Sequence, residues 1–146
     1  IVADHCSKSA GKTDLPVNRY HIPCLVYAPA LIKPAVETRL MSQIDLAPTV
    51  LGFMNLSYTS RFMGKDMYHS PISTDRAFIS TYQNLGYLKG DTLTVLLPQK
   101  KLEAYIVDYK SGKSTKILPS MTLEAEAIAW YQVASFLFNN KGYKIY

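Results

Sequence analysis

An α/β fold, with strands of a central sheet followed by an antiparallel β-meander and a C-terminal helix packed on it, is predicted by three observations. The first half holds apolar runs that end in polar or proline-rich turns. The stretch 77–118 alternates runs rich in β-branched and aromatic residues with short turn sequences. Residues 122–139 carry apolar side chains at helical spacing. The change of character near residue 70 predicts a first part over 1–70 and a meander-plus-helix subdomain over 71–146.

Residues 1–3 read as the tail of a buried strand, and 4–18 as the polar loop that follows it. In open α/β sheets, the ends of strands are where ligand groups gather. Residues 22–28 are almost wholly apolar and close at Pro29, as expected of a central strand covered on both faces of a mostly parallel sheet. Residues 29–34 form a turn-rich connection. A helix is expected over 46–54, with Asp45 as its cap and Pro48 tolerated in its first turn, where amides have no partner to lose. Gly64 and Pro71 then interrupt an irregular stretch.

Five strands are expected at 77–82, 87–89, 92–97, 102–109 and 115–118, joined at Gly90-Asp91, at Pro98-Gln-Lys-Lys101 and at Ser111-Gly112. Leu123, Ala127, Trp130, Tyr131, Ala134, Leu137 and Phe138 make the stripe of the final helix, with Ser120 or Thr122 as its cap. Trp130, Phe136 and Phe138 are read as packing residues for one face of the meander.

Composition narrows the function classes. The chain has 146 residues, 48% hydrophobic and 18% charged, which suits a folded chain and not a disordered one. The net charge of +5 comes from scattered lysines and arginines without a nucleic-acid-binding signature, so no nucleic-acid partner is expected. Solubility, or attraction to an anionic surface or substrate, suits the mild basicity better. Two cysteines, Cys6 and Cys24, make neither a disulfide framework nor a zinc motif; they are read as packing residues, with one bridge between them conceivable in an exported protein. No stretch reaches the roughly 18 apolar residues of a membrane span. Because the chain opens mid-strand and without an initiator methionine, it reads as a piece of a longer protein, and targeting signals are not expected within it.

The chemistry-bearing candidates are few. Asp4 and His5 leave a strand end together, so a carboxylate oxygen and an imidazole nitrogen can reach one divalent cation; a loop cap beside a partly exposed histidine is the plainer account of the same dipeptide. His21, at a strand entrance, can hydrogen-bond substrate or simply be a satisfied edge histidine. Lys12 lies in Gly11-Lys-Thr13, which no glycine-rich phosphate loop precedes, and a solvated loop lysine is the plain reading. His69 reads as surface and Asp45 as a helix cap. Tyr82, Tyr87, Tyr105 and Tyr109 would mark a binding face for a partner or polymer if they lay exposed together on one side of the meander.

Four segments in order, Ile1-Val-Ala-Asp-His5, Arg19-Tyr-His-Ile-Pro-Cys-Leu-Val-Tyr-Ala-Pro29, Ile32-Lys-Pro34 and Ser42-Gln-Ile-Asp-Leu-Ala-Pro-Thr49, resemble the C-terminal third of proteins of the alkaline phosphatase and sulfatase superfamily. The branch of lipoteichoic acid synthase and phosphoglycerol transferases is the most similar, and Arg61-Phe-Met-Gly-Lys-Asp66 resembles a short element that follows there. The resemblance implies a C-terminal fragment of an alkaline-phosphatase-like domain. It implies that Asp4 and His5 are two ligands of one divalent ion (manganese, magnesium, calcium or zinc), with the other ligands and a Thr, Ser or modified Cys nucleophile upstream. By the same resemblance, Lys12 and His21 would act at the transferring group. The whole enzyme would transfer or hydrolyse phosphate or sulfate esters, lipid-linked ones among them, at the extracytoplasmic face of a cell envelope, anchored by an N-terminal membrane region. The isolated piece would be inactive. An exported sulfatase, marked by an upstream Cys/Ser-x-Pro-x-Arg setting, is the alternative enzyme.

Overall fold

The computed structural model describes residues 1–6 and 15–144. Helices α1 (Val17–Tyr20) and α2 (Leu46–Phe53) lie in the first half. Strands β1 (Ala77–Ser80), β2 (Leu85–Lys89), β3 (Thr92–Leu97), β4 (Lys101–Val107) and β5 (Ser114–Ile117) follow, and α3 (Met121–Asn139) closes the order.

The strands form one antiparallel sheet in the order β1-β2-β3-β4-β5, the meander that the alternating runs predict. Each turn has a local cause. Gly90 takes a φ of 59° between β2 and β3, where a Cβ would be strained, and the three-residue helical turn Pro98–Lys100 joins β3 to β4. Register sets the two faces: Ala77 pairs with Leu88, Leu88 with Leu93 and Leu93 with Tyr105, so these four share one side. That side carries Ile79, Val95 and Val107 as well, and it packs against Leu15 and Val17 with Tyr20 and Leu40 at the margin. The N-terminal part therefore covers one face of the sheet.

Helix α3 covers the other face. Phe78 meets Trp130 and Tyr131 with ring centroids 5.3 and 5.8 Å apart, Ala127 is fully buried, and the Tyr131 hydroxyl donates to the Gly86 carbonyl at 2.9 Å. Glu126 accepts from the Tyr87 hydroxyl at 2.7 Å and from Lys89 at 2.7 Å. Burial and the Glu126 carboxylate together raise the Tyr87 hydroxyl well above its ordinary range, which keeps it a donor.

Two expectations about apolar residues change. Phe136 and Phe138, read as packing residues, are 65% and 74% exposed. A helix of this length runs for about 28 Å, whereas a six-residue strand spans about 20 Å, so the second half of α3 outruns the sheet. Residues 22–28 were expected as a doubly covered strand, yet Leu25, Val26 and Tyr27 are exposed. They pair with the first residues through an antiparallel bridge between Val2 and Cys24, with mutual hydrogen bonds between Ile1 and Leu25 and one from the Ala3 amide to the Pro23 carbonyl. Among the described residues no third strand lies beside them, and an apolar run is covered only if something packs on it. Cys24 is exposed and Cys6 half-buried, both as free thiols, so neither is a packed core residue.

Charged side chains buried between the two halves join them. Asp75 is held by Arg39 at 2.7 and 2.9 Å and by the Lys65 ammonium at 2.8 Å. The Arg39 guanidinium first, against the effect of burial, and then Lys65 hold the Asp75 carboxyl at about 2, below its ordinary 3.8. The stabilisation is present above the unfolded value and is lost as pH falls from about 4 towards about 2. We expect urea titrations to show the wild type about 2 kcal/mol more stable than Asp75→Asn at pH 7, with the gap closing near pH 2.5; a gap that does not depend on pH would contradict this coupling.

Candidate functional site

Asp4 and His5 sit where the bridged segment bends away, and both side chains are open to solvent, 89% and 81% exposed. The His5 Nδ1 lies 2.8 Å from the Cys6 carbonyl. A carbonyl can only accept, so Nδ1 carries the proton, and in the neutral ring Nε2 keeps its lone pair. That lone-pair nitrogen is 3.8 Å from Asp4 Oδ1. The Cys6 carbonyl first, and the Asp4 carboxylate second, raise the His5 pKa above its ordinary value. A hard oxygen and an imidazole nitrogen on one side of a bend suit a divalent cation. Among the described residues no third His, Cys, Asp or Glu joins them.

The surroundings are built from the turn Gln43–Asp45. The Ser42 amide donates to Asp45 Oδ2 at 2.9 Å and the Asp45 amide to the Ser42 carbonyl at 2.9 Å, which closes the turn. Asp45 is 0% exposed, and its side chain closes this turn and does not cap α2 as the sequence led us to expect. Arg76 forks onto its two oxygens at 2.7 and 2.9 Å, and the Lys65 amide donates to Oδ1 at 2.9 Å. Arg76 also lies over the rings of Trp130 and Phe78, 4.9 and 5.1 Å from their centroids. From this anchored turn, the Gln43 Nε2 donates to the carbonyls of Ala3 and Asp4, each at 3.2 Å.

Other candidates divide. His21 follows α1 and is exposed; the antiparallel register that sets Ala3 opposite Pro23 runs towards it from Asp4 and His5. Lys12 lies outside the described residues. His69 is at the surface, as expected, with Nδ1 2.7 Å from Asp66. The tyrosines do not form one binding face: Tyr87 is buried beneath α3, Tyr105 flanks the opposite face, and Tyr82 stands alone at 99% exposed. That overturns the reading of the meander as a tyrosine-lined binding module. Sequence reasoning missed Gln43 and Arg76. Gln43 was quoted only as part of a motif, and Arg76, a charge directly before a strand, gave no local sign of a partner 31 residues away.

No protein-family model matches the chain. Its structure is similar to the crystal structure of a protein in the alkaline phosphatase superfamily from Vibrio parahaemolyticus, with a TM-score of 0.91 and 27% identity over 99% of this chain. The chain has the fold of a fragment of an alkaline-phosphatase-like domain. It spans 36% of the length of that neighbour. The meander and α3 are thus a part of the alkaline-phosphatase-like fold, in agreement with the fold expected from the sequence. Among the described residues, no helix is long and apolar enough to cross a membrane.

Proposed function

We propose that this chain is the C-terminal part of a metal-dependent enzyme that transfers or hydrolyses phosphate or sulfate esters, with Asp4 and His5 as two of its metal ligands. Within that class, we favour a membrane-anchored phosphoglycerol transferase-type protein acting at the extracytoplasmic face of a cell envelope. The reading is carried by the Asp4–His5 pair: two exposed donors on one bend, with the His5 tautomer leaving Nε2 free to ligate, in an alkaline-phosphatase-like fold.

When bound, a divalent ion such as manganese, magnesium, calcium or zinc polarises the ester oxygen and lowers the pKa of the nucleophile. The residues of this chain hold and orient. Asp4 supplies negative charge, His5 a neutral nitrogen, and the Cys6 carbonyl keeps the proton on Nδ1. By the family resemblance, His21 would donate to an oxygen of the ester and Lys12 would neutralise charge that grows on the transferring group. The nucleophile and remaining ligands belong to the rest of the protein.

Asp4→Ala and His5→Ala in the full-length protein are expected to lower metal-dependent cleavage of a phosphate diester by more than about 100-fold, since even residues behind metal ligands cost 10- to 100-fold. Both side chains are exposed, so the thermal midpoint of the metal-free protein should stay near that of wild type. Retained activity in either variant would sink the metal assignment. Cleavage of an aryl sulfate in place of the diester would favour the exported-sulfatase alternative.

A further inference from the structure

Successive carbonyls of an extended strand point to opposite sides. The Gln43 carboxamide nevertheless donates from one nitrogen to the carbonyls of Ala3 and Asp4, at 3.2 Å each. Two neighbouring carbonyls can converge on one nitrogen only where the backbone turns, and the chain bends at Asp4 and His5. Gln43 thus grips the bend from which both side chains project.

Its own footing is firm. Gln43 follows buried Ser42 in the turn closed by Asp45, and the Arg76 fork and the Lys65 amide lock Asp45 in place. The Phe78 amide donates to Ser42 Oγ at 3.4 Å, which ties the same turn to β1. Among the described residues, the exposed element that would bind the metal is otherwise tied to the fold by the bridge between Val2 and Cys24 and by the backbone hydrogen bonds of Ile1 with Leu25 and of Ala3 with Pro23. The carboxamide carries the rigidity of the buried ion pair out to that element.

We propose that Gln43 is a positioning residue that sets the direction of Asp4 and His5 for a divalent cation; the inference rests on the metal reading above. Gln43→Met keeps the length of the side chain and removes both donors. In the full-length protein titrated with manganese by calorimetry, Gln43→Met is expected to weaken binding about 10-fold, within the range for groups that orient metal ligands. The thermal midpoint of the metal-free variant should stay close to wild type, because the lost hydrogen bonds are exposed. His5→Ala, measured alongside, should weaken binding more. Unchanged affinity in Gln43→Met beside weakened binding in His5→Ala overturns the positioning role alone. Unchanged binding in His5→Ala overturns the metal reading and this inference with it. A fall in midpoint that accounts for the lost affinity assigns Gln43 to fold stability and also overturns the proposal.

Discussion

Arg76→Ala is expected to destabilise the fold by about 3 to 5 kcal/mol, the cost of leaving one partner of a buried ion pair behind. The Asp45 carboxylate is 0% exposed and receives two of its hydrogen bonds from the Arg76 guanidinium, whose side chain is itself 3% exposed. Removing the fork leaves a buried carboxylate without its cation. It also empties the space over Trp130 and Phe78. The thermal midpoint should fall on the order of 10 °C or more. Arg76→Lys keeps the charge but not the fork, and should lie between the two. Asp45→Asn combined with Arg76→Met should recover part of the loss, because Asn still offers an oxygen to the Ser42 or Lys65 amide and no unpaired charge remains. Guanidinium titrations of the four proteins would decide this; a loss below 1 kcal/mol in Arg76→Ala would mean that the pair is screened in solution.

Gly64→Ala should cost about 3 kcal/mol, at the upper end of overpacking effects. A Cβ at that position would stand 1.9 Å from the Ile44 carbonyl oxygen, 2.5 Å from its carbon and 3.0 Å from the Asp45 nitrogen. All three are backbone atoms of the turn that holds Asp45, so nothing there can swing aside. Gly52→Ala is the control. Its Cβ would also meet an atom at 1.9 Å, but that atom is Asp66 Oδ2 at the end of a side chain. Rotating Asp66 away sacrifices its hydrogen bonds from the Tyr68 and His69 amides, at 2.9 and 3.3 Å, which is a smaller loss. Chemical denaturation should rank Gly64→Ala well below Gly52→Ala in stability. Equal losses would show that the backbone near Ile44 yields as readily as a side chain.

The part of the fold that was legible in the sequence is the part made by neighbours. Expected strands over 92–97 and 115–118 lie within one residue of β3 and β5, and the expected helix over 122–139 differs from α3 by one residue. Alternation of apolar residues, glycine at a positive φ and helical spacing are local properties, and each hairpin joins strands adjacent in sequence. The run 22–28 depends on neighbours that its own pattern does not name. Its apolar pattern states what the segment can bury, not what lies beside it, and Leu25, Val26 and Tyr27 stand exposed.

The candidate site divides along the same line. Asp4 and His5 could be named from the sequence because they are adjacent and sit where a strand ends. The apparatus that holds them could not be read in this way. Gln43 reaches the Asp4 carbonyl across 39 residues and Arg76 reaches Asp45 across 31, and neither distance leaves a trace in periodicity or spacing. The sequence by itself determined the meander, the final helix and the pair of donors. The tertiary structure alone decided that a buried ion pair anchors the turn behind them, because an ion pair forms only between groups that packing has already brought together and removed from water.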